Sequence, residues 1–160
     1  MNFPILFASA LIPILIGAVW YNPKVLGTAW MKASGVTEAQ AQSGNMVLIF
    51  GLAFLFSFFL AFALYGLCVH QTGIGQLFGT APEGSAERAV LTDIMEKYGD
   101  RHRTFGHGAL HGGIGAIVFA LPLIGILALF ERRGWKYVMI HFLYWFVSMT
   151  LMGGVICQFA

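Results

Sequence analysis

The sequence predicts an all-α membrane protein, a bundle of four transmembrane helices with short amphipathic interfacial helices in its first and second loops. Three observations predict it. Hydrophobic side chains make up 58% of the chain and charged ones 10%, whereas a soluble domain carries about 25% charged residues. All nine Lys and Arg and all seven Asp and Glu fall in three windows, Lys24 to Glu38, Glu83 to Arg103 and Glu131 to Lys136. Between these windows run four apolar, uncharged segments, and mean hydropathy over the whole chain is +0.77.

Each segment is long enough to cross a bilayer, since about 20 residues at about 1.5 Å per residue span a hydrocarbon layer about 30 Å thick. They run from Phe3 to Trp20, from Met46 to about His70, from Ala109 to Phe130 and from Tyr137 to about Phe159, and form one integral membrane domain over residues 1–160. Helices are expected because an isolated strand leaves backbone groups unpaired in lipid, and no alternating pattern of barrel strands is present.

The first segment has no Lys or Arg before it and is followed directly by Trp20, Tyr21, Asn22 and Pro23. It lacks the charged start and small-residue cleavage site of a signal peptide and is read as a retained helix. Pro13 removes one backbone hydrogen bond there, freeing the Ser9 carbonyl, and Pro122 does the same for Val118 in the third segment, so both helices should kink.

In the first loop Val25, Leu26, Ala29, Trp30 and Ala33 recur at helical spacing, and Thr37 with Gln40 has the spacing of a capping box. Trp20, Tyr21 and Trp30 are the expected interface anchors, because amphipathic rings prefer the headgroup level. The long second loop opens on a Gly-rich stretch, Gln71 to Pro82, read as an irregular strip on the membrane surface. An amphipathic helix follows from about Ala86 to Tyr98, with Gly99 placed to end it.

In the third segment Gly108, Gly112, Ala116 and Ala120 form an unbroken row one helical turn apart. Such a row admits another backbone at close range, which is how helices associate in lipid, either within the chain or between copies. Ala53, Ser57 and Ala61 repeat the spacing in the second segment. Cys68 and Cys157 are expected to be free, buried thiols.

Orientation follows Lys and Arg in the short loops. The first and third loops carry five, Lys24, Lys32, Arg132, Arg133 and Lys136, whereas four in the long loop are diluted by five acids. Both termini and the long loop are therefore expected on the periplasmic side of a bacterial inner membrane.

No Asp, Glu, Lys or Arg lies inside a span, which argues against a carboxylate-driven pump or antiporter. Net charge is +2 without a basic, aromatic-interleaved patch, so no nucleic-acid partner is implied. No residue is assigned a catalytic role, and the reading is non-enzymatic.

The histidines are the candidate site. His107 and His111 lie one turn apart at the start of the third segment, and His70 ends the second at the same membrane level, with His102 in the adjoining loop. Imidazoles at that spacing can bind one metal ion, with Cys157 or Cys68 as a further ligand; a haem would need two histidines facing across a gap. Hydrogen bonding to loop carbonyls is the ordinary alternative. His141 enters from the opposite side, about 7.5 Å beyond Lys136 by helix rise, and suits a hydrogen-bonding role.

The runs Gly17-Ala-Val-Trp20-Tyr21-Asn22-Pro23, Gly27-Thr-Ala-Trp30-Met31-Lys32 and Gly35-Val-Thr37-Glu38 resemble the first part of a bacterial family catalogued as domain of unknown function 1761. Tyr144-Trp145 and Met152-Gly153-Gly154 resemble its last part. The resemblance implies a small four-helix membrane protein and carries no activity to any residue; the segment holding His107 and His111 falls outside its distinctive pattern.

The leading expectation is thus a protein acting through helix packing, as a homo-oligomer or as an accessory subunit of a larger membrane complex, with no cofactor. A metal- or haem-binding membrane protein built on His70, His107 and His111 is the rival. An oligomeric small-molecule channel or transporter is the third reading.

Overall fold

In a computed structural model describing residues 1–160, the chain is helical with no strand. Its helices are α1 (Phe3–Ala10), α2 (Ile12–Trp20), α3 (Thr28–Ser34), α4 (Glu38–Gln42), α5 (Met46–Cys68), α6 (Gln71–Phe78), α7 (Ala86–Tyr98), α8 (Phe105–Gly115), α9 (Leu121–Phe130) and α10 (Trp135–Phe159). Short π-helical segments occupy Pro23–Gly27 and Ala116–Ala120. Four stretches are long and apolar enough to cross a membrane: Phe3–Trp20, Met46–Cys68, Phe105–Phe130 and Trp135–Phe159.

The boundaries differ from the hydropathic reading where local polar chemistry sets them. The third span starts at Phe105, because the Thr104 hydroxyl caps the helix by accepting from the His107 amide at 3.3 Å. Gly106 and His107 hide that first turn from a hydropathy window. The fourth span opens at Trp135 behind Gly134, and the second stops at Cys68, where Val69 turns extended.

Many large apolar side chains face outward, while the core mixes large and small ones. Val47, Phe56, Leu129 and Phe130 are exposed, whereas the core gathers Leu6, Ala61, Leu64, Ala116, Met152 and Ile156. Lipid tails are as apolar as leucine, so close backbone approach rather than apolar burial selects the contact. The third and fourth spans make it. A Cβ on Gly108 would overlap the Gly153 carbonyl, one on Gly112 the Met149 carbonyl, and one on Gly153 the Gly108 carbonyl. Ala116 is fully buried in the core and Ala120 packs at its margin, while Ser57 and Ala61 are buried on the second span.

Both prolines interrupt their helices. The first span breaks at Leu11 between α1 and α2, with Pro13 in the first turn of α2; in the third span the π segment Ala116–Ala120 precedes Pro122. Above the break α1 packs closely on α5; below it α2 leans on α10 and largely parts from α5.

Asn2 donates to the Phe159 carbonyl and Arg103 to the Ala160 carbonyl, so the termini and the long loop share one end. Gly35 stands beside the Arg133 guanidinium, so the first and third loops share the other. Both halves of the capping box form, Gln40 N–H to Thr37 Oγ1 at 3.2 Å and Thr37 N–H to Gln40 Oε1 at 2.9 Å. α7 has the expected bounds, capped by Ser85, although Gly99 ends it in a right-handed conformation. The stretch after His70 corrects the expected irregular strip: Gln71–Phe78 is helical. Gly73 and Gly75 each weaken a helix by about 1 kcal/mol relative to Ala, and docking of Ile74 beside Ile94 and Met95 of α7 offsets it.

Candidate functional site

His70 sits at the turn from α5 into α6, placed by extended Val69, which is 1% exposed. The Gln71 side chain donates to the Tyr98 carbonyl at 3.2 Å and the Arg101 carbonyl at 2.8 Å, tying the end of α7 against this turn. That brings His102 alongside, in a left-handed backbone conformation with φ 64°. Thr104 then starts α8 and sets His107 and His111 on its first turns. Gly108, packed on Gly153, keeps this helix against α10 directly beneath the imidazoles.

The result is a cluster of four rings. His107 Nε2 lies 2.9 Å from His70 Nε2, a hydrogen bond in which the accepting ring must be neutral. Ring centroids are 4.9 Å apart for His70 and His111, and 4.5 Å for His107 and His111. His102 stacks on His107 at 4.8 Å. One ring nitrogen from each of His70, His107 and His111 falls within 4.8 Å of the others.

Tetrahedral Zn–N bonds of about 2.0–2.1 Å hold ligand nitrogens about 3.3 Å apart, so small ring rotations suffice to close this set on one ion. Its donors are all imidazoles, which suits zinc, copper or nickel better than oxygen-seeking cations. The cysteines are not part of it. Cys68 Sγ donates to the Gly108 carbonyl, and Cys157 Sγ donates to the Cys68 and His102 carbonyls, so both free thiols are hydrogen-bonded in the buried layer below. A haem has no slot between His70 and His107, whose nitrogens already touch.

A family model described as Protein of unknown function (DUF1761) matches residues 4–157, nearly the whole chain. The chain belongs to that family. No curated protein and no solved structure matches it.

The motif residues of this DUF1761 chain meet at the opposite end of the bundle. Trp20 Nε1 donates to the Ile140 carbonyl at 3.1 Å, Tyr21 Oη lies 3.1 Å from His141 Nδ1, and Trp30 meets Tyr21 edge-on at 5.4 Å. Trp20, Tyr21 and Trp30, expected as headgroup anchors, thus make intramolecular contacts with α10 and with each other. Tyr144 Oη donates to the Pro13 carbonyl at 3.0 Å, and its ring lies 5.2 Å from that of Tyr21. Burial, then the neighbouring Tyr144 and Tyr137, push the Tyr21 pKa well above the ordinary tyrosine range. Its hydroxyl therefore stays protonated where it meets His141 Nδ1. Sequence reasoning gave His141 a hydrogen-bonding role without finding its partner. The signal was present in the paired Trp-Tyr and Tyr-Trp motifs.

Proposed function

We propose that the protein is a multi-pass membrane protein that binds one first-row transition-metal ion, zinc, copper or nickel, through His70, His107 and His111, with His102 beside them. The observation that carries this reading is the convergence within 4.8 Å of three ring nitrogens, one from the turn after the second span and two from the start of the third. Three ligands leave a coordination position open on a half-exposed surface, where a water or a loop histidine completes the shell. The packing reading has less support, because the row through Gly108, Gly112 and Ala116 is already filled from within the chain and is not free for a second copy.

Purified protein stripped of metal and titrated with Zn2+ or Co2+ tests this. One ion per chain is expected. Losing a ligand should weaken binding by at least the roughly 10–100-fold that loss of a supporting partner costs, in each of His70→Ala, His107→Ala and His111→Ala and not in His141→Ala. A wild type that takes up no ion, or variants that bind as tightly, would end the reading.

The five basic residues of the short loops favour a bacterial inner membrane with the histidines on the periplasmic face. Single cysteines at Glu87 and Lys32, in a background lacking Cys68 and Cys157, report it in outer-membrane-permeabilised cells. An impermeant reagent should label position 87 and spare position 32; the reverse pattern inverts the topology.

A further inference from the structure

At the end opposite the histidine cluster the break at Leu11 opens a space. Where α2 leans on α10 and largely parts from α5, a cavity of about 750 Å3 lies among α2, α5, α10 and the first loop. That is within the roughly 300–1,000 Å3 of small-molecule sites. Its walls carry no charged residue and are rich in rings, among them Trp30, Phe50, Phe56 and Trp145. A flat apolar ligand would stack on these rings, and the polar groups beside them are neutral hydroxyls and the His141 imidazole.

The polar groups of the cavity restrict the ligand further. Tyr21 and Tyr144 both line it, Tyr21 Oη paired with His141 Nδ1 and Tyr144 Oη donating its proton to the Pro13 carbonyl. The Tyr144 oxygen therefore has only lone pairs to offer. Ser57, 4% exposed, adds a third hydroxyl to the lining and takes part in none of the chain's hydrogen bonds, which leaves its proton available to a ligand. A hydroxyl group both donates and accepts, so it matches the Tyr144 oxygen as acceptor and Ser57 as donor.

We infer that this cavity is a binding site for a neutral, lipid-soluble aromatic alcohol, its ring among the aromatic walls and its hydroxyl donating to a tyrosine oxygen and accepting from Ser57. A simple void filled by lipid tails would show no preference for a hydroxyl, which gives the test its contrast. The probes are 2-naphthol, 2-methoxynaphthalene, which only accepts, and 2-methylnaphthalene, which does neither. Binding to the protein in phosphatidylcholine nanodiscs is read from tryptophan fluorescence, with empty nanodiscs as the partition control.

The expected result is saturable binding of 2-naphthol about tenfold tighter than either analogue, roughly the worth of one hydrogen bond. Tyr144→Phe and Ser57→Ala should each shrink that preference while leaving 2-methylnaphthalene unchanged. Ala53→Phe, which fills the cavity from α5, should abolish binding of all three probes. Equal affinity for the three, or a preference for 2-naphthol that survives both hydroxyl deletions, overturns the inference. Metal titration of the same variants keeps this outcome separate from the fate of the histidine site.

Discussion

The two ends of this bundle use histidine in opposite ways. At the long-loop end the ring of His70 is exposed, those of His107 and His111 half-exposed, and the one hydrogen bond between them joins His70 to His107. At the other end His141 is a single ring against Tyr21 and Tyr137, with a tyrosine hydroxyl on Nδ1 and its Nε2 buried without a partner. The difference lies in the neighbours. A carboxylate or hydroxyl beside an imidazole occupies its nitrogens; a set of imidazoles with nothing else in reach leaves lone pairs for a cation. The first arrangement is what the proposed metal site rests on, and the second borders the cavity proposed for a neutral ligand.

The largest expected effect separates how firmly the two ends are built. Under the histidines a leucine at Gly112 must displace the Met149 backbone, and main chain cannot rotate aside. Overpacking costs about 1–3 kcal/mol where side chains can give way, so Gly112→Leu should lose at least about 3 kcal/mol or fail to fold. Gly17, at the cavity end, meets only the Tyr144 ring at 3.6 Å, so Gly17→Ala should stay within about 1 kcal/mol of wild type. Thermal unfolding in detergent compares them. Similar losses for both would mean that the third and fourth spans do not meet through their backbones.

Gly112 also shows what was legible. The small-residue row was visible as a spacing, but its partner was not: Gly153 and Met149 oppose it across a sequence separation that no local pattern encodes. The four spans were readable because lipid imposes one requirement, length and apolarity, on each segment separately. Thr37 and Gln40 were readable because a capping box is local. The cavity was not, since it depends on how far a break at Leu11 swings α2 from α5. The histidine cluster was half legible: spacing put His107 and His111 on one face, while its closeness to His70 and His102 rests on Gln71 pinning the turn.

Metal should act at one end only. Zinc at about 100 times its dissociation constant adds about 2.7 kcal/mol to a folded state that binds it exclusively, and His107→Ala should remove that gain while His141→Ala keeps it. Ligation needs neutral imidazoles, so the gain should fade as acidification protonates the rings. Stabilisation by zinc that persists in His107→Ala would move the ion away from this cluster.

The smallest effect belongs to Tyr21, and pH separates its two components. Tyr21→Phe strands His141 Nδ1 without its hydrogen-bond partner, which should cost about 1 to 2 kcal/mol near neutral pH. The folded chain holds the Tyr21 proton more tightly than the unfolded chain does, because burial raises the pKa. The unfolded chain releases that proton near pH 10 while the folded chain keeps it, so this contribution is complete below about pH 10 and declines as the pH rises further. Phenylalanine has no such proton. The stability difference between wild type and Tyr21→Phe should therefore narrow above about pH 10, in unfolding curves recorded at matched detergent and salt. A difference that stays constant from pH 8 to pH 11, on about that range of buffers, would mean that the hydroxyl is not held in the interior against His141.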